Sequence, residues 1–167
     1  TKSGTQITTT TATSTDQDLG GAFKLTSTGG DLTLDSITFK QIGSFPNTDI
    51  ENIRLYYKPE NTCSATKPSG TTEFDTIATL DENGQATSTG TISLTASSPV
   101  CLYLVYDLTG TPGTSTLGRS IDFEITNPQT DILVTGGTVS TVGKVNITGR
   151  TMIINNDILS LLSLRMK

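Results

Sequence analysis

Residues 99–108 read Pro-Val-Cys-Leu-Tyr-Leu-Val-Tyr-Asp-Leu. In an extended chain, Val100, Leu102 and Leu104 fall on one face, and Cys101, Tyr103 and Val105 on the other. Successive side chains of a strand point to opposite faces, so this run is apolar on both. Such a strand belongs in the middle of a sheet, covered from both sides.

The runs around it alternate with period two, which is the signature of half-buried strands. Ile53, Leu55 and Tyr57 share a face, as do Ile92, Leu94 and Ala96, and Ile121, Phe123 and Ile125. The stretches 131–139 and 144–149 add two more strands, and Phe23 and Leu25 start the core. Leu32 and Leu34 share one phase, but Ile37 and Phe39 take the opposite one. A bulge near Asp35–Ser36, where one extra residue shifts the register, reconciles the two. Gly, Pro and Asn clusters separate these runs. The longest, Thr109–Gly118, reads as a solvated crossover or an exposed tip. No segment before residue 155 has helical period. Short strands at this spacing predict an all-β protein, an immunoglobulin-like or jelly-roll β-sandwich.

Composition narrows the function classes. Charged residues make up 16% of the 167 residues, against about 25% in ordinary soluble domains. The net charge is −5 and the basic residues are scattered, which argues against a nucleic-acid partner. No apolar run is long enough for a membrane span. The chain starts at Thr1 without Met, which reads as removal of a preceding segment. There is no His, so the commonest general base and the commonest zinc ligand are both missing. The chain has no Trp, and sixteen acids offer too many pairs to single out a hydrolytic one; no enzyme is expected. Threonine, about a fifth of the chain, suits the solvated face of a strand. With so few charges, the composition reads as extracellular. In that setting Cys63, in the loop KPENTCSATKPSG, and Cys101 are expected to form a disulfide. Closing that loop would contribute roughly 3–4 kcal/mol.

Candidate ligand sites are few. Asp16 and Asp18 in DQD, and Asp81 in DENG, supply oxygen donors of the kind calcium takes. The competing reading of DENG is a hairpin turn with Asn83–Gly84 at its tip, and no other cofactor is expected. Asn146 sits in an Asn-Ile-Thr sequon, facing outward between Val145 and Ile147, and is a candidate for glycosylation.

The stretch GGDLTLDSITFKQIGSFPNTDIENIRLYYKPEN (29–61), followed by SPVCLYLVYDLTG (98–110), resembles secreted bacterial and archaeal β-sandwich modules. The resemblance rests on Asp49, Ile50, Ile53, Leu55 and Tyr56, then on Leu102 to Asp107. Similar modules form the globular heads of pilin-like and other surface-filament subunits, or accompany secreted glycosidases such as sialidases. The hydrophobic helix that opens a type IV pilin has no counterpart here. The resemblance implies a structural or adhesive role and transfers no catalytic residue.

The two ends of the sequence bear on assembly. Residues 1–18 form a Thr-rich strand or arm anchored by Ile7, 19–154 the sandwich, and 155–167 a hydrophobic tail. Ile158, Leu159, Leu161, Leu162 and Leu164 crowd that tail. Burying them would contribute roughly 7–15 kcal/mol before the entropy of ordering. As a strand, Ile158, Leu162 and Leu164 share a face with Ser160. As a short helix, Ile158, Leu161, Leu162 and Arg165 cluster. The tail either closes its own core, or it or the N-terminal strand enters a neighbouring copy by strand addition. The leading expectation is a structural subunit of an extracellular filament, pilus or surface layer, with copies of itself or other surface subunits as partners. The alternative is a secreted adhesive or carbohydrate-binding module with a glycan ligand.

Overall fold

The computed structural model describes residues 1–7, 9–11, 13–110 and 117–154. Most of the 109–118 loop and the whole 155–167 tail lie outside them. The chain folds into an all-β sandwich, as the alternation predicts. Its strands are β1 (Lys2–Ser3), β2 (Thr9–Thr11), β3 (Thr13–Asp18), β4 (Ala22–Leu25), β5 (Leu32–Gln41), β6 (Ile50–Pro59) and β7 (Thr72–Thr79). They continue with β8 (Gln85–Leu94), β9 (Val100–Thr109), β10 (Ser120–Ile121), β11 (Phe123–Ile125), β12 (Ile132–Thr135), β13 (Val145–Asn146) and β14 (Thr151–Ile154). One helical turn, α1 (Pro128–Asp131), separates β11 from β12.

The first sheet runs β1-β4-β9-β6-β7, with β3 beside β4 on the same flank of β9. Strand β9 is its centre, as its two apolar faces require. Leu102, Leu104, Tyr106 and Leu108 point into the core between the sheets. Cys101 and Tyr103 point outward and are still buried, packed with Ala22 and Cys63 in a second cluster. What covers that outer face is the 60–71 loop, pinned by the Cys63–Cys101 disulfide. The Tyr103 hydroxyl accepts from the Ser64 N–H at 2.9 Å and donates to Glu60. The expected disulfide therefore forms, and it turns a loop into the second wall around β9.

The second sheet is built on β5, with β8 on one side and β12 and β11 end to end on the other; β13 extends it beyond β11. The register of β5 shifts between Leu34 and Ser36 against β8, and the β12 register shifts at the same level. This is the bulge that the phase change at Asp35 demanded. It lets Leu34, Ile37 and Phe39 all reach the core.

Strand β7 gives no clean alternation in the sequence, because Phe74 and Ile77 are three residues apart. Its pairing with β6 slips at Phe74, between the Asp75 and Glu73 partners. The slip brings both side chains against the core. The DENG turn has hairpin chemistry, with the Asp81 N–H donating to Gln85 O at 2.9 Å. Its two strands nevertheless diverge, β7 into the first sheet and β8 into the second.

The N-terminal residues pair within their own molecule. β1 pairs with β4, β3 with β9, and β2 runs parallel to β14 in a small third sheet with β10. The division expected at residue 18 thus falls inside the sheet, where the Leu19 N–H donates to Leu104 O at 2.9 Å. The arm crosses over Gly20 and Gly21, whose φ angles are 83° and 70°. A Cβ on Gly20 would stand 2.5 Å from the Ile7 nitrogen, so only glycine admits the crossing there.

Candidate functional site

Two features stand apart from the packed core: a polar latch at one end of β9 and an open groove at the opposite end of the sandwich. The latch is centred on Asp107, the one charge in the β9 run. Both strands flanking it bulge at its level. The register shifts between Ser14 and Gln17 in β3, and between Glu51 and Arg54 in β6. Each bulge holds a residue in the left-handed region, Asp16 at φ 53° and Asn52 at φ 47°. Asp and Asn tolerate that region better than other residues with side chains. The bulges aim three donors at one carboxylate. Asp16 N–H and an Arg54 guanidinium nitrogen donate to Asp107 Oδ1 at 2.8 and 2.5 Å, and Asn52 Nδ2 donates to Oδ2 at 2.8 Å. Burial alone would raise the Asp107 pKa, but these hydrogen bonds and the Arg54 charge hold it below the usual range. Arg54 also reaches Asp16 Oδ1 at 3.2 Å.

The arrangement is a structural clamp in which both Asp107 oxygens accept hydrogen bonds. Asp16 contributes through its N–H and its ion pair. Asp18 is likewise engaged: Oδ1 accepts from Gly20 N–H at 2.8 Å and Oδ2 from Lys67 N–H at 2.5 Å, which ties the disulfide loop to the β3–β4 crossing. Asp81 accepts from the N–H groups of Asn83 and Gln85 at 2.8 and 2.7 Å within its turn. The three calcium candidates thus do not converge. Among the described residues, no group of three or more acidic, Cys or His side chains could hold a metal.

A second buried acid was not singled out by the sequence. Asp122 lies 4% exposed beneath the N-terminal arm, where Gln6 Nε2 donates to it. Burial raises its pKa, and the Gln6 bond only partly offsets this. Its neighbour Glu124, also buried, pairs with Lys144 at 3.5 Å. Asn146 is half-buried on β13, directly across from Glu124.

The groove occupies about 450 Å³ where the sheets part, between β4 and β12. Phe23, Leu94 and Ile125 form its buried floor. Leu32, Val134 and Val139 are half-buried around it, and threonines and serines of the 26–31 and 136–141 loops complete the rim. Strand β12 ends its sheet. Residues 136–144 return from it without a backbone–backbone hydrogen bond among the described residues. Leu133 on β12 and Val142 in that return are 55% and 81% exposed.

Of the assembly residues expected from sequence, Ile7 is held in place: its N–H donates to Leu19 O at 2.9 Å, and its carbonyl accepts from Thr151 Oγ1 at 2.7 Å. Ile158, Leu159, Leu161, Leu162 and Leu164 lie outside the described residues. Among the described residues, no helix is long and apolar enough to cross a membrane. No protein-family model matches the chain, and no curated protein matches it significantly.

Proposed function

We propose that the protein is a non-enzymatic structural subunit of an extracellular filament, pilus or surface layer, assembling through a segment at one end of the chain packed on a neighbouring copy. The observation that carries this reading is a separation. The groove lies at one end of the sandwich, and the chain leaves β14 at the other, where Ile153 N–H donates to Arg119 O at 2.8 Å. A groove at one end and the departure of the chain toward its apolar tail at the other favour a head-to-tail contact, which repeats without closing and so builds a fibre. The disulfide supports an oxidising, extracellular setting. The resemblance to pilin-like heads agrees with it. This reading does not call on calcium.

The reading makes a direct prediction. The intact chain sediments as long polymers visible by negative stain, and deletion of residues 156–167 leaves a folded monomer. A chain that remains monomeric at high concentration and binds glycans would select the adhesive-module alternative. The groove offers that alternative little, since its only aromatic ring among the described residues, Phe23, is 1% exposed and cannot stack on a sugar.

A further inference from the structure

Resting on that reading, we infer that the groove beside β12 is the acceptor for residues 158–164 of the next copy, which add to the unpaired edge of β12 as an extra strand. The first argument concerns reach. The chain at Ile153 lies level with Gly118 and Arg119, and β14 runs antiparallel to β10, away from β11. Ile125, on the groove floor, is six residues from Arg119, or about 20 Å along an extended strand. Ile158 is five residues past Ile153 and can travel at most about 17 Å, in a chain that must first turn back. Ile158, which opens the aliphatic run, therefore falls short of the groove floor of its own molecule. A second copy meets no such limit.

The second argument is the match of surfaces. β12 presents a row of backbone groups with no strand partner, beside a return loop that forms no backbone–backbone hydrogen bonds of its own among the described residues. An added strand would satisfy these groups, as strand addition does elsewhere. The donor sequence Ile-Leu-Ser-Leu-Leu-Ser-Leu (158–164) is apolar in both phases. One phase, Ile158, Leu162 and Leu164, suits the groove, where Leu32, Val134 and Val139 remain half-buried. The other, Leu159 and Leu161, would lie on the outer face beside Leu133, which is 55% exposed on β12. A donor for a simple half-buried edge would need only one apolar phase. Arg165 follows the run, and Asp31 on the groove rim offers it an opposite charge.

Two single-cysteine variants test this, Val139→Cys and Leu162→Cys, each retaining the native disulfide. Mixed and oxidised mildly, they should give a covalent heterodimer, at a yield at least tenfold above that of Leu162→Cys mixed with Ile42→Cys, a control position 40% exposed. Polymers that form while the Val139 pair crosslinks no better than the control would overturn the groove as acceptor and leave the filament reading standing. Absence of polymers from the unmodified chain would remove the filament reading, and the groove assignment with it. As a second measure, Val139→Lys should reduce polymer content more than tenfold without lowering the melting temperature of the monomer. Normal polymerisation of this variant would also count against the groove.

Discussion

Strands β9 and β12 are both apolar runs, and they end in different circumstances. β9 has partners on both edges and is buried on both faces, one by the facing sheet and the other by the disulfide loop. β12 has one paired edge, one face on the core, and Leu133 exposed on the other. The contrast shows that apolar density alone does not decide burial. β9 is enclosed because the chain supplies a second cover for it, and β12 is left open because the 136–144 return does not pair with it.

The contrast is broken most severely at the cover of β9. Replacing Cys63 and Cys101 together with Ala removes a crosslink spanning 38 residues. Chemical denaturation should show a loss of about 4 kcal/mol. Next comes the inner face: Leu104→Ala, at a position 2% exposed, should cost roughly 3 kcal/mol by the same measurement. Asp107→Asn keeps the shape of the latch but removes the charge that three donors share, and should cost roughly 1.5–3 kcal/mol at neutral pH.

This substitution also carries a pH signature. The folded-state pKa of Asp107 lies below its unfolded value, so its stabilisation is complete above the ordinary aspartate range and is lost as pH falls through the depressed value. Asp122 acts in the opposite sense. Its folded pKa is raised, so between the two values the native state holds the extra proton and stability falls as pH rises. Urea melts across the acid range should show the Asp107 limb vanish in Asp107→Asn and the Asp122 limb persist. At the other pole of the comparison, Leu133→Ser on β12 should change monomer stability by no more than about 0.5 kcal/mol. A loss of several kcal/mol there would mean that β12 is enclosed after all.

The sequence disclosed what depends on local alternation. β9 was legible because both its phases are apolar, and the bulge at Asp35 because the phase flips within one strand. β7 was hidden because its own bulge at Phe74 destroys the period that would reveal it. The pairing of the N-terminal residues was illegible for another reason: a polar Thr run states that a strand can form but carries no apolar pattern to choose its partner. The latch left one faint signal, a lone acid in an otherwise apolar run. That it gathers Asp16, Asn52 and Arg54 depends on two bulges meeting at one level, which only the assembled sheet determines. The groove was equally invisible, since it is a gap between strands distant in sequence.

The parallel pairing of β2 with β14 has a mechanical consequence. Thr9, Thr10 and Thr11 lie beside Met152, Ile153 and Ile154, and a further parallel bridge joins Thr5 to Thr148. Tension applied through the residues before β2 and after β14 pulls these strands in opposite directions along their own axes. Their hydrogen bonds then bear the load together, in shear, instead of opening one after another as in a peeled hairpin. Strands wired this way resist being drawn apart along their length until their hydrogen bonds give way together.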